Sequence, residues 1–149
     1  PDTYARLRMN LTLSSAGEAT PVQCAVGASK GRGQIIGHAD NRGQHRIALG
    51  GEESTESVAV VPLSTLCAEQ QIDRIDAMKV DLEGLDYDVL SAFFEHAPAA
   101  QWPRWIVVEV GKEAHAPVID LGRKHGYRLH TRTKLNAILQ KAGAGDETS

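Results

Sequence analysis

The residues best suited to chemistry stand close together: Lys79, Asp81 and Glu83, spaced by two and followed by Gly84. Alternate side chains of an extended strand point to one side, so these charged groups share a face while Val80 and Leu82 take the other. Unpaired charges cannot lie in the middle of a covered sheet. Asp81 and Glu83 therefore belong at or beyond a strand's C-terminal end, and Lys79 must pair or reach solvent. That end of an open α/β sheet is where ligands bind. Carboxylates there could accept hydrogen bonds from hydroxyls, orient a cation, serve as a general base or hold a divalent ion. On the residues alone a plainer reading stays open, in which the acids cap the following helix and meet water.

A second apolar run, residues 105–110, carries Glu109 near its end. If the two strands are parallel neighbours, Glu109 joins the same rim, unless Lys79 or Lys112 engages it in a salt bridge. Residues 37–45 form a polar loop holding Asp40, Asn41, Arg42 and His45, and His45 could act as a base near neutral pH. Surface loops are also this polar for solubility alone. His38, His96, His115, His125 and His130 show no metal-ligand spacing, and no metal site is expected. The glycine-rich stretch 28–33 lacks the Walker spacing and a following helix, so it is not a phosphate cradle. No nucleophile elbow is present. Cys24 and Cys67 stand far apart without a CxxC pattern and read as buried thiols in a reducing compartment.

The elements that must position these groups come from periodicity. The 149 residues are 42% hydrophobic and 23% charged, the composition of an ordinary soluble domain. A net charge of -3 gives no reason to expect nucleic acid or an anionic membrane as partner. No apolar run approaches the roughly 18 to 20 residues needed to cross a bilayer, and the expected location is the cytoplasm. A helix beginning at Asp2 or Thr3 would bury Tyr4, Leu7, Leu11 and Leu13. Strands are predicted at 21–27, 34–36, 46–49 and 57–61, then a helix at 62–71 and a strand at 77–82. The helix at 86–96 would anchor the core through Tyr87, Leu90 and Phe94. Residues 105–110 read as a central parallel strand, 114–125 as a helix stopped by Gly126, and 127–131 with 135–139 as a closing hairpin. The alternation implies one α/β domain over residues 1–141, with a mostly parallel sheet, an antiparallel strand from the terminal hairpin at one edge, and a disordered tail at 142–149.

Taken together, Val61-Pro-Leu-Ser-Thr-Leu66, Ile75-Asp-Ala-Met-Lys-Val-Asp-Leu-Glu-Gly84, Asp88-Val-Leu90 and Ile106-Val-Val-Glu-Val110 resemble the FkbM family of S-adenosylmethionine-dependent methyltransferases. Leu7-Arg-Met-Asn-Leu11, Ala25-Val-Gly27 and Asp40-Asn-Arg-Gly43 extend the likeness over about residues 1–140. The resemblance implies a class I methyltransferase (Rossmann-like) sheet and methyl transfer from S-adenosylmethionine, usually to a hydroxyl oxygen of a small molecule or sugar. It implies that Asp81 lies beside methyl donor and acceptor, and that Val26, Gly27 and Ala28 lie near the adenine. Glu83 and the loop of Asn41 and His45 would face the acceptor.

That fold's glycine-rich first strand and the acid ending its second are not found in the sequence. The N-terminal strands are therefore expected to be missing, leaving half of the cofactor site and weak or no binding of S-adenosylmethionine. The alternative is a non-catalytic Rossmann-like module that binds a partner or forms a homodimer through open sheet edges. A receiver-like signalling domain is disfavoured, because the strand 21–27 ends without the paired acids such domains use.

Overall fold

The computed structural model describes residues 2–14, 16–38, 41–49, 57–82, 84–111 and 116–143. Its helices are α1 (Asp2–Leu13), α2 (Leu63–Glu69), α3 (Asp86–His96) and α4 (Pro117–Lys124), with a 3-10 turn at Ala99–Gln101. The strands are β1 (Ala25–Gly27), β2 (Gly31–His38), β3 (Asn41–Leu49), β4 (Ser57–Pro62), β5 (Ala77–Val80), β6 (Trp105–Glu109), β7 (Tyr127–Arg132) and β8 (Asn136–Lys141). They form two four-stranded sheets, ordered β1-β4-β2-β3 and β5-β6-β8-β7. Among the described residues no helix is long and apolar enough to cross a membrane. Most of the expected tail, residues 144–149, lies outside the described residues.

Both sheets are mixed, which corrects the expectation of a mostly parallel one. Among the described residues only β1–β4 and β5–β6 pair in parallel, while β2–β3, β2–β4, β6–β8 and β7–β8 are antiparallel. The reason lies in the connections. A parallel pair needs a long crossover, which α3 supplies between β5 and β6, whereas short turns can only return the chain antiparallel. The segment predicted as a polar loop between two short strands is mostly ladder, since β2 and β3 run from Gly31 to Leu49 as a long hairpin. The strand expected over 21–27 shrinks to three residues, Ala25–Gly27. In the terminal hairpin β8 inserts beside β6 and leaves β7 at the edge, so β6 is parallel to a neighbour on one side only.

The core gathers mainly around the second sheet. Ile106 and Val108 of β6 are fully buried, and Val80, Ala137 and Leu139 join them from the flanking strands. Helix α3 covers this layer with Leu90, Phe93 and Phe94, and the buried Val89 continues the same apolar stripe. Burying a side chain as large as Phe93 contributes about 1.5–3 kcal/mol. Tyr87, expected as an anchor, is 42% exposed, because the buried stripe is centred on the 89/90/93/94 positions and the first helical turn lies at its margin. Phe94 stacks on His125 with ring centroids 4.3 Å apart and meets Trp102 edge-on at 5.1 Å, which ties α3 to the end of α4. Tyr127 donates a 2.6 Å hydrogen bond to the Pro103 carbonyl, and burial raises its phenol pKa well above the usual value.

Helix α4 starts at Pro117, whose fixed φ suits the first helical position, and is stopped by Gly126 at φ +81°. Helix α1 forms as predicted, yet its apolar face is largely uncovered, with Leu7 and Leu13 exposed and only Tyr4 and Leu11 half-buried. Cys67 is buried and its thiol pKa is raised by desolvation, as expected of an inert core thiol; Cys24 is only half-buried.

Gly27 sits where β1 passes β4, and a Cβ there would lie 2.5 Å from Cγ1 of the buried Val60. Gly27→Ala should therefore destabilise the chain by about 1–3 kcal/mol through overpacking. In urea denaturation, Gly27→Ala combined with Val60→Ala should cost less than the sum of the single changes, because the shortened side chain removes the clash.

Candidate active site

The site is built where β5 ends. Strand β5 pairs in parallel with β6, in a register that sets Lys79 opposite Val107 and Val80 opposite Val108. The next step along both strands brings Asp81 beside Glu109, the last residue of β6. Val80 and Val108 point into the core, so Lys79 and Asp81 face outward, as strand alternation predicts. Lys79 resolves its charge by donating a salt-bridging hydrogen bond to the Asp81 carboxylate. That hydrogen bond is the chief reason the Asp81 pKa is lowered, and a side-chain hydrogen bond with Glu109 adds to it. The predicted convergence of Asp81 and Glu109 is thus present, with Lys79 on Asp81.

A turn holds this rim in place. Gly84 adopts φ +95°, a left-handed conformation that glycine reaches without a Cβ penalty. Asp86, almost fully buried, accepts hydrogen bonds from the backbone N–H of Leu82 (3.1 Å) and of Gly84 (3.3 Å). Asp86 therefore ties together the turn before α3, whose N-terminus has no side-chain cap, and Asp81, 46% exposed at its side chain, is left facing solvent. Asp86 was legible only as the start of a helix. The pattern of an Asp shortly after a glycine turn, able to bond backbone amides within a few residues, was the signal that could have found it.

Of the residues expected near the adenine, only Val26 lines a slot beside β5. Val26 and Gly27 belong to β1, and Ala28 opens the bend that follows it. Val26, Leu63, Met78, Val80, Leu82 and Val89 line a mostly apolar cavity of about 240 Å³, and Lys79 and Asp81 complete its lining. Two predicted site residues on different sheets, Val26 and Asp81, thus share one cavity. Gly27 and Ala28 do not line it, and Gly27 packs against Val60 instead. Asn41 and His45 fall on β3 of the long hairpin rather than in a loop, and their side chains lie outside the described residues. Glu83 also lies outside them. No cluster of metal-ligating groups occurs among the described residues.

Chemically, the rim offers an ionised carboxylate held by a lysine, a second carboxyl group beside it and an apolar slot below. A carboxylate of lowered pKa stays charged throughout the neutral range. It serves better as a hydrogen-bond acceptor and orienting group than as a base, since base catalysis favours a pKa near the working pH.

The Asp81 pKa, read from a carboxyl carbon titration by NMR, should lie below the ordinary value of about 3.9, and Lys79→Met should raise it. A depressed carboxyl pKa stabilises the folded chain above the unfolded pKa, and that contribution is lost as pH falls through the folded value. The wild type should consequently lose its stability advantage over Lys79→Met below roughly pH 4, with little pH dependence of the difference from pH 6 to 8.

The model of the methyltransferase FkbM domain family matches residues 1–129. No curated protein and no solved structure matches the chain. With the family model spanning well over half of its 149 residues, the chain belongs to the FkbM methyltransferase domain family.

Proposed function

We propose that the Asp81 rim and the slot beneath it form one wall of an S-adenosylmethionine-dependent methyltransferase site, acting on a hydroxyl oxygen of a small molecule or sugar. The observation that carries this reading is the shared cavity: an apolar lining from Val26, Leu63, Met78, Val80 and Val89 that Asp81 joins at the end of β5. Such a slot suits the flat, weakly polar part of a nucleoside, while the carboxylate can accept from hydroxyl groups; the donor set fits the cofactor. When bound, S-adenosylmethionine supplies an electrophilic methyl group. The chain's own groups orient the acceptor. Asp81 accepts a hydrogen bond from the acceptor hydroxyl and Lys79 keeps that carboxylate ionised. Glu109, whose carboxyl hydrogen-bonds Asp81, helps to hold that carboxylate, and the departing proton passes to water at the exposed rim. Glu83, Asn41 and His45 belong to the acceptor side in this reading, and Gly27 and Ala28 to the adenine side.

One feature supports the alternative of a non-catalytic module. Among the described residues β1 pairs only with β4 and β5 only with β6, so each presents an edge. Unpaired edges recruit further strands. In that reading the chain forms a homodimer or takes up a partner strand, and the slot has no ligand.

The two readings separate by titration with S-adenosylhomocysteine, followed by backbone amide NMR. The methyltransferase reading expects shifts at Val26, Gly27, Ala28 and Asp81. It also expects Asp81→Asn to lower methyl transfer by about 10²–10³-fold with little change in stability, the scale of a lost positioning or proton-transfer group. Shifts absent from these residues at millimolar ligand, together with a dimer in gel filtration, would favour the module instead.

A further inference from the structure

The opposite end of the second sheet carries a second concavity, which the methyl-transfer reading does not use. From Asp76 to Asp81 the chain advances about 16 Å along β5, so the two features are far apart on the same strand. The concavity measures about 530 Å³ and is lined by Arg74, Asp76, Trp102, Arg104 and Lys141, with Ile75 in its wall.

Topology explains why cations collect here. β5 and β6 start at this end, and antiparallel β8 finishes at it. Backbone hydrogen bonds lock the three strand ends together, from the Arg104 N–H to the Ile75 carbonyl (3.3 Å) and from the Lys141 N–H to the Arg104 carbonyl (2.9 Å). Arg74, Arg104 and Lys141 thus come to one hollow. Among the described residues a single carboxylate in the lining, Asp76, balances one of them through a 2.9 Å salt bridge to Arg74.

The ammonium of Lys141 is positioned by neutral partners among the described residues. It donates to the Ala99 carbonyl at 3.0 Å and lies 5.4 Å from the centre of the Trp102 ring. Among the described residues two positive charges of the lining have no carboxylate partner there, in a chain whose net charge is -3. Clustered like charges repel, and a concave surface concentrates their field on whatever enters. Guanidinium and ammonium groups around one hollow match a phosphoryl group, since arginine bonds it through two N–H groups and lysine adds a point charge. Trp102 and Ile75 offer apolar surface to the organic part of the same ligand.

We propose that this hollow is a binding site for a small phosphorylated organic molecule, with Arg104 and Lys141 holding the phosphoryl group. It stands independently of the methyl-transfer reading, because its residues lie at the other end of the sheet. The probe is phenyl phosphate, titrated into the full 149-residue chain at constant ionic strength and followed by NMR. Saturable shifts are expected at the amides of Arg104 and Lys141 and at the Trp102 indole N–H. Arg104→Ala, at an exposed position with its fold checked by the unchanged amide spectrum elsewhere, should weaken binding by about tenfold or more, the effect of losing one charge-assisted contact. Asp76→Asn, which releases Arg74, should tighten it. The proposal is overturned by shifts that fail to saturate at about 10 mM, by equal shifts with chloride alone, or by an Arg104→Ala affinity equal to wild type.

Discussion

Everything at the rim depends on one pairing: Val80 of β5 beside Val108 of β6, both buried. A strand has a side-chain period of two, so slipping either strand by one residue would send Lys79 of β5 or Glu109 of β6 toward the core. Charge burial makes that slip prohibitive, and the register is fixed for that reason. A fixed register leaves the chain no freedom in placing its neighbours. Asp81 must emerge next to Glu109, and Lys79 must lie on the outer face within reach of Asp81. The acidic rim is thus a by-product of the hydrophobic ladder beneath it.

Two aspartates five residues apart divide a pair of tasks between them. Asp86 turns inward, satisfies the Leu82 and Gly84 amides and stabilises the turn. Asp81 is released from that structural duty toward the backbone and keeps its carboxylate outward. A loop that relied on Asp81 for capping would have had to choose between holding its shape and presenting an acceptor. The left-handed Gly84 completes the separation by turning the chain sharply between the two.

Much of this was legible in the sequence, for identifiable reasons. The alternation of Lys79, Val80, Asp81 and Leu82 is a local signal, and strand period two decides it without reference to distant residues. The α3 helix was readable to its bounds because acids open it and Ala97-Pro98 close it. The outward face of Tyr87 was not, since which edge of an apolar stripe is covered depends on the neighbouring elements. The hairpin of β2 and β3 was underestimated because glycines and polar residues weaken strand propensity; pairing with β4 overrides it. The mixed character of both sheets was hidden for a related reason. Sequence order alternates strand and helix near β5 and β6, but strand direction is set by connection length, and β8 choosing the place beside β6 is a packing decision. The association of Val26 with Asp81 across two sheets lay beyond any local pattern.

Helix α1 has a different relation to the rest of the molecule. Leu7, Met9 and Leu13 face solvent, and a hydrogen bond from the Tyr4 hydroxyl to the Pro21 carbonyl ties its first turn to the chain beyond it. A helix of 12 residues with so little buried surface is near the limit of stability by itself. Its backbone amides belong to the part of the protein that opens without global unfolding, while those of β6 and β8 exchange only when the whole core comes apart. The chain therefore has at least two layers of protection against hydrogen exchange and proteolysis, and cleavage within α1 would leave the Asp81 rim standing.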